Sequence, residues 1–256
     1  MSIINYILSS FGHALLFLLI VLLPFIFVIA ACQFCSSFLR NRITRVLPHN
    51  FFIYATAPGV AVHECGHLFF CLVFLHKVKK VVLFSPSEDG TLGYVSHQYT
   101  PGNLYQKIGL FFIGTGPVWF GFLVLYLISR LFLPGSIFNS GISETARIKL
   151  FFSSFFALSF WCVFWHWLWF YLAVCIAAHI NLSPPDIQGA WLGFVTMIVF
   201  VILLFLFFGW IGSFHRSAPG FGASIVKQMS PVFCIMFIVS AVSLLIGTVC
   251  SLFKRR

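Results

Sequence analysis

Two histidines and a glutamate in the middle of a hydrophobic stretch are the residues of this chain best suited to chemistry. His63, Glu64 and His67 form an H-E-x-x-H pattern. Residues four apart lie on one face of an α-helix, so the two imidazoles can bind one metal ion. Glu64 lies beside them, where a general base for a metal-activated water belongs. The pattern predicts a helix that carries a hydrolytic metal site.

The composition makes this pattern hard to obtain by chance. With nine histidines and three glutamates in 256 residues, chance alone predicts roughly 0.004 occurrences of it. The competing interpretation is a pair of helix histidines that only pack or form hydrogen bonds. Ionisable groups at membrane depth are costly and tend to be functional, which favours the metal site.

The composition is that of an integral membrane protein. Hydrophobic residues make up 61% of the chain and charged residues only 8%. Helices are expected, because backbone groups in lipid must be satisfied internally and no alternating pattern of a membrane barrel is visible. The net charge of +10 comes from basic residues in small groups between apolar runs. That arrangement favours contacts with the lipid bilayer and predicts no binding of nucleic acid.

Six hydrophobic segments are long enough to cross a bilayer at about 20 residues per span. They cover roughly residues 10–34, 51–75, 108–133, 150–180, 190–212 and 229–252. No stretch between them is large enough to form a separate folded domain. We therefore predict an all-α polytopic membrane protein with about six transmembrane helices, built as a single domain over residues 1–256.

The stretch after the H-E-x-x-H pattern has the features of a small membrane-associated β-hairpin. Residues 81–84 and 91–95 are mainly apolar, and the turn-forming residues 85–90 lie between them. An edge strand beside the metal would hold an extended substrate by β-augmentation. Proteolysis needs such an extended backbone, because a helix hides its carbonyl groups. The competing interpretation is an irregular interfacial loop.

A catalytic zinc site usually has three protein ligands and a water molecule, so a third ligand is needed. Asp186 is the best candidate among the five acidic residues, since the acids at positions 88, 89 and 144 fit solvated surface. Pro184 and Pro185 precede it and cannot lie in a helix interior, so the residues before them should be extended. Irregular backbone at membrane depth is tolerated where it lines a watery cavity.

Other roles for these residues stay open at this point. Asp186 would also serve as an interfacial cap for the next helix. His179 and His166 are rival ligands, although His179 also suits a supporting role and His166, between two tryptophans, suits packing. A divalent cation would offset the charges of both Asp186 and Glu64, which favours Asp186 as the third ligand. Without such compensation, an aspartate near a helix centre costs about 2.5–3.5 kcal/mol on insertion scales.

Together these elements resemble the site-2 protease family of intramembrane zinc metalloproteases, including its compact bacterial and archaeal members. The likeness covers the H-E-x-G-H form of the first motif, a Gly-Pro stretch at residues 113–121, the hairpin, and an Asn-x-x-Pro element at Asn181 and Pro184. The matched elements extend over a core of roughly residues 50–190. Asp186 follows Asn-x-x-Pro sooner than in the family, and Pro-Asp-Ile replaces the usual Leu-Asp-Gly.

The resemblance implies a complete site and a function. One Zn²⁺ per chain would be held by His63, His67 and Asp186, with Glu64 as the catalytic base. Asn181 would contact the substrate or the developing oxyanion, although a cap or turn role fits it nearly as well. The substrate would be a membrane-anchored protein or a signal-peptide remnant, and the location a multi-pass position in a prokaryotic cell membrane.

The residues alone are compatible with two other classes of function. A non-catalytic relative that acts as a membrane receptor, transporter or chaperone would keep this fold and would not depend on Glu64. A di-iron membrane oxygenase or desaturase would need more clustered histidines than the nine present.

Overall fold

The structure is a computed structural model that describes residues 3–46, 48–88, 90–138, 141–209, 217–227, 241, 244–249 and 251–252. Within these residues the chain is mostly helical, with one two-stranded antiparallel sheet. The predicted helical fold with a small hairpin after the H-E-x-x-H helix is confirmed at that level.

The elements follow one another along the described residues in a simple order. The helices are α1 (Ile3–Ile43), α2 (His49–Ala55), α3 (Ala57–Val73), α4 (Leu104–Gly114), α5 (Gly116–Phe132), α6 (Glu144–Phe155), α7 (Leu158–Trp161), α8 (Phe164–His179) and α9 (Pro184–Phe208). Strands β1 (Lys77–Val82) and β2 (Tyr94–Gln98) lie between α3 and α4, and a 3₁₀ turn (Gly135–Phe138) follows α5.

Helices of membrane-spanning length are fewer than the sequence predicts. Among the described residues, α1 and α9 are long and apolar enough to cross a membrane, and the bent pair α4 and α5 makes a third if it counts as one span. Helices α3 and α8 are shorter apolar helices. Association with a membrane is supported, but six transmembrane helices are not confirmed. Most of the predicted segment 229–252 lies outside the described residues.

Two of the predicted spans are broken helices, and a proline accounts for each break. Thr56 divides α2 from α3, and Thr115 divides α4 from α5, which are bent by 62°. Pro58 and Pro117 occupy the first turns of α3 and α5. A proline suits the first turn of a new helix but interrupts a helix that continues through it, because it has no N–H and its ring collides with the preceding turn.

The predicted span at residues 150–180 is divided among α6, α7 and α8. Side-chain donors satisfy the carbonyl groups that the breaks release. Trp161 Nε1–H donates to the Phe155 carbonyl at 2.8 Å, and His166 Nδ1–H donates to the Phe160 carbonyl at 2.6 Å. His166 is buried and stacks on Phe160 with ring centroids 4.0 Å apart, so it serves packing here.

The largest apolar core lies between α5, α6 and α8. Phe122, Leu125 and Trp169 are almost completely buried there. The indole N–H of Trp169 donates to Ser129 Oγ at 2.9 Å, which satisfies its one polar group in this core. This core joins α5 and α8, and both of these helices also pack against α3.

Helix α3 packs against α4, α5, α8 and both strands, and glycines allow two of these approaches. A Cβ on Gly66 would lie 2.7 Å from the Gly116 carbonyl oxygen of α5. A Cβ on Gly59 would overlap the Cys175 carbonyl oxygen of α8. Small residues at such contacts let helix backbones approach closely within membranes.

Gly66→Ala is expected to destabilise the fold by about 1–3 kcal/mol, because the methyl group overlaps the rigid backbone of Gly116. Gly12→Ala in α1 is the matched control, since its methyl would meet nothing within 4 Å. That control should gain about 0.5–1 kcal/mol from helix propensity. Thermal unfolding in detergent measures both variants. Equal stability of the two would mean that α3 and α5 do not approach as described.

The two strands pair in antiparallel register, but each covers residues that only partly overlap the predicted ones. Val81 pairs with Val95, and β2 begins at Tyr94 instead of residue 91. The chain between the strands forms its own hydrogen-bonded loop, in which Ser85 N–H donates to the Leu92 carbonyl at 2.7 Å. These local bonds use residues that the sequence pattern assigned to the second strand.

Candidate metal centre

Side chains from α3 and from the first turn of α9 meet at one point. The Nε2 atoms of His63 and His67 lie 3.3 Å apart. Asp186 Oδ1 is 3.2 Å from His67 Nε2, and Asp186 Oδ2 is 3.7 Å from His63 Nε2. One ligand atom from each residue lies within 4.8 Å of the other two. The three predicted ligands therefore form a cluster that can hold a metal ion.

A backbone carbonyl orients each imidazole of the cluster. His63 Nδ1–H donates to the His179 carbonyl and His67 Nδ1–H donates to the Ile113 carbonyl, both at 2.7 Å. A carbonyl oxygen can only accept, so both Nδ1 atoms carry hydrogen and the neutral rings have lone pairs on Nε2. These lone pairs and the carboxylate converge with no hydrogen between them. A cation removes that repulsion, so the donor set fits a metal ion.

Asp186 both caps α9 and faces the imidazoles. Ser183 is the N-cap, and its N–H and Oγ–H donate to Asp186 Oδ2 at 2.8 and 2.6 Å. The Asp186 N–H donates back to Ser183 Oγ at 3.3 Å, which completes a capping box. Pro184 and Pro185 occupy the first turn, where a missing N–H is tolerated. The cap holds Oδ2 and leaves Oδ1 directed at His67, so the two interpretations of Asp186 are compatible.

The predicted Gly-Pro stretch is in contact with both halves of the cluster. The Ile113 carbonyl at the end of α4 binds His67. The next residue, Gly114, lets α9 approach, because a Cβ there would lie 2.5 Å from the Asp186 carbonyl oxygen. One short segment thus sets the separation between a histidine on α3 and the carboxylate on α9.

His179 supports the cluster from outside it. Its backbone carbonyl holds His63, and its ring Nε2 lies 2.8 Å from Thr56 Oγ1. The Thr56 hydroxyl donates to the Phe52 carbonyl at 2.8 Å, so the Thr56 oxygen accepts from His179 Nε2–H. The His179 side chain is therefore engaged at the break between α2 and α3, which leaves Asp186 as the residue that joins His63 and His67.

Asn181 lies in the extended segment before α9 and is oriented by helix α1. Ser36 Oγ–H donates to Asn181 Oδ1. One turn earlier in α1, the Gln33 side-chain amide binds both backbone groups of Leu182. The Leu182 N–H donates to Gln33 Oε1 at 3.1 Å, and Gln33 Nε2–H donates to the Leu182 carbonyl at 3.4 Å. With Oδ1 engaged, the Nδ2–H group is the part of the Asn181 amide left to act in the cavity.

Gln33 and Ser36 are site residues that the sequence interpretation missed. They lie three positions apart, on one face of an apolar helix. Polar side chains in such a helix usually face the protein interior or a watery cavity. The polarity and the spacing of these two residues therefore indicate a place at the site.

Glu64 is buried, with 6% of its surface exposed, and lines the same cavity. Among the described residues, no group forms a hydrogen bond or ion pair with its carboxylate. The hairpin covers it closely, because a Cβ on Gly93 would lie 2.8 Å from Glu64 Cγ and 2.7 Å from the Val82 carbonyl oxygen. The Glu64 oxygens are thus left to interact with water or ligand in the cavity.

The cavity that contains these groups has a volume of about 790 Å³, within the range of roughly 300–1,000 Å³ that is usual for ligand sites. The three candidate ligands, residues 90–95 of the hairpin and the extended segment with Asn181 contribute to its walls. His97 of β2 also lines it. Burial, with the nearby imidazoles of His76 and His67, lowers the pKa of His97 to about 4, so this ring is neutral at pH 7.

No family model matches this chain, and no curated protein or solved structure is significantly similar to it. The functional conclusion therefore depends on the geometry of the cluster and its cavity.

Proposed function

We propose that this chain is an intramembrane zinc metalloprotease of the site-2 protease type, which hydrolyses peptide bonds of membrane-anchored proteins or signal-peptide remnants. The observation that carries the proposal is the convergence of two imidazole Nε2 atoms and one carboxylate, beside a buried glutamate, in one cavity. Two histidines and a carboxylate are a known ligand set of catalytic zinc, with the fourth position left for water.

The zinc, when bound by His63, His67 and Asp186, supplies Lewis-acid chemistry that lowers the pKa of water to about 7 and polarises a carbonyl group. Glu64 accepts the proton of the attacking water at a carboxylate oxygen and delivers it to the leaving amine nitrogen. Asn181 donates an Nδ2–H to the substrate carbonyl oxygen as negative charge develops there. Ser36 holds the Asn181 amide in the orientation that this donation requires.

The hairpin suits an extended peptide as substrate. Strand β2 pairs with β1 along one edge, and no described strand pairs with its other edge. The residues that lead into β2 line the cavity beside Glu64. A peptide added to this edge would be extended, with its carbonyl groups accessible to the site. The long apolar helices α1 and α9 suit a substrate that is itself anchored in the membrane.

Purified protein in lipid vesicles, assayed against a panel of single-span proteins, tests this proposal. We expect cleavage within or next to the span, loss of cleavage after chelation, and recovery with added Zn²⁺. Cleavage that persists after complete removal of metal would overturn the proposed chemistry. Two iron ions per chain, with no proteolysis, would favour the oxygenase instead.

Gly93→Ala is expected to lower kcat/KM by about 10–100-fold with no loss of metal, because a displaced hairpin misplaces the substrate next to Glu64. Gly102→Ala is the matched control, since its methyl would meet nothing within 4 Å. Both variants are compared by kinetics and by metal content per chain. If Gly93→Ala is as active as Gly102→Ala, the hairpin does not hold substrate against Glu64.

A further inference from the structure

Two histidines at the base of the hairpin have no part in the mechanism above. His76 follows α3 and is only 5% exposed. His97 lies on β2, is half-buried and lines the cavity. Their Nδ1 atoms are 3.0 Å apart, so the two rings share one hydrogen bond.

The partners of His76 determine which nitrogen of each ring carries hydrogen. His76 Nε2 lies 2.9 Å from the Gln106 carbonyl oxygen, which can only accept, so this Nε2 carries the hydrogen. In the neutral ring, His76 Nδ1 is then an acceptor. The contact between the two Nδ1 atoms therefore requires that His97 Nδ1–H donate to His76. A neutral His97 with hydrogen on Nδ1 has a lone pair on Nε2.

His97 lines the cavity, and only one of its two ring nitrogens is engaged by a described residue. Burial disfavours the charged form of this ring and is the main reason that its pKa is lowered to about 4. Within the described part of the chain, no group forms a hydrogen bond with its Nε2. The hairpin therefore offers a fixed hydrogen-bond acceptor to whatever occupies the cavity.

The fold holds His76 rigidly at the end of α3. The His76 N–H donates to the Cys71 carbonyl at 2.8 Å and the Leu75 N–H donates to the Leu72 carbonyl at 3.2 Å, which is a Schellman ending. Leu75 occupies the glycine position of this motif with φ of 56°, a conformation that is unfavourable for a residue with a Cβ. Tyr99 stacks on the His76 ring with centroids 5.6 Å apart.

Gln106, whose carbonyl fixes the His76 tautomer, is itself fixed by two elements. Its Oε1 accepts from the Thr100 N–H after β2, and its Nε2–H donates to the Leu75 carbonyl after α3, both at 2.7 Å. The orientation of the histidine pair is therefore set by α3, the hairpin and α4 together.

We propose that His97 binds substrate, with its Nε2 accepting a hydrogen bond from one main-chain N–H of the extended peptide, and that His76 is the positioning residue that fixes its tautomer. This inference rests on the proposed proteolysis. An acceptor at this place cannot stabilise an oxyanion, because it has no hydrogen to donate. It instead selects substrates that have an N–H at one defined backbone position and disfavours proline there, since proline lacks that hydrogen.

An N-methyl scan of a cleaved single-span peptide from the panel tests the inference. We expect one methylated amide to raise KM about 5–10-fold in the wild type and to have no effect in His97→Phe. His97→Phe itself should raise KM by a similar factor, with kcat within about threefold of wild type. His97→Gln keeps an acceptor and should recover much of the lost affinity. An identical N-methyl profile in wild type and His97→Phe would overturn the inference.

Nitrogen-15 NMR of histidine-labelled protein gives a second readout that does not depend on activity. The signals that disappear in His97→Gln should report hydrogen on Nδ1 and none on Nε2. In His76→Phe, which removes the acceptor, the His97 signals should lose this tautomer preference. A wild-type His97 with hydrogen on Nε2 would contradict the proposed binding mode. Failure to cleave any substrate would count against the protease, whereas cleavage with a wrong tautomer would count only against His97.

Discussion

Glu64→Gln is expected to lower the rate of peptide hydrolysis by at least about 10²-fold while zinc stays bound. The glutamine amide has nearly the same size but cannot accept the proton of the attacking water. Loss of a general base lowers a rate by roughly 10²–10⁴-fold. Glu64 is not one of the three residues of the ligand cluster, so the metal content per chain should not change. Cleavage kinetics and metal analysis on the same preparation measure both effects.

Glu88→Gln provides the matched control for this substitution. Glu88 is exposed in the loop of the hairpin, and its replacement changes the net charge by the same amount. We expect wild-type rates from this variant. If Glu64→Gln protein cleaves as fast as Glu88→Gln protein, Glu64 is not the general base. Retention of the cellular function by Glu64→Gln would favour the non-catalytic receptor, transporter or chaperone.

Asp186→Ala is expected to remove both metal and activity. Outer-shell partners of a metal site are worth about 10–100-fold in affinity, so loss of a direct ligand should weaken zinc binding by at least 10²-fold. The two remaining imidazoles would face each other without the carboxylate that now lies 3.2 Å from His67 Nε2. Zinc affinity measured with a competing chelator, together with kcat/KM, tests this expectation.

The cap that Asp186 provides to α9 requires a separate control. Ser183→Ala removes the N-cap hydroxyl but leaves the carboxylate, and should lower stability by about 0.5–2 kcal/mol. It should retain zinc with affinity reduced by only about 10-fold, because Asp186 Oδ2 still accepts from the Ser183 N–H and Oδ1 still faces His67. If Ser183→Ala and Asp186→Ala lose zinc to the same extent, the effect of Asp186 belongs to the helix cap and not to ligation.

Helix periodicity and side-chain chemistry were sufficient to predict the centre of the site. His63 and His67 had to share a helix face, and Asp186 was the acidic residue placed where a proline pair ends an apolar segment. The structure brings these three together. The hairpin could be predicted for a similar reason, although its strands are displaced because the loop between them forms its own hydrogen bonds.

The backbone groups that orient the site could not be predicted from residue types. The carbonyls of Ile113 and His179 orient the two imidazoles, and any residue type has a carbonyl to offer. The breaks at Thr56 and Thr115 come just before Pro58 and Pro117, which interrupt the helix although the apolar run continues through them. Ser36 could have been found from its polarity and its spacing from another polar residue within an apolar helix.

Zinc K-edge X-ray absorption on the purified, zinc-loaded protein tests the central claim most directly. In protein that carries one zinc per chain by metal analysis, the account predicts only nitrogen and oxygen neighbours at about 2.0–2.2 Å, two of them imidazoles. Asp186→Ala protein should not give this spectrum. Sulfur neighbours at about 2.3 Å, or a wild-type spectrum with fewer than two imidazoles, would show that zinc binds elsewhere and would contradict the proposed site.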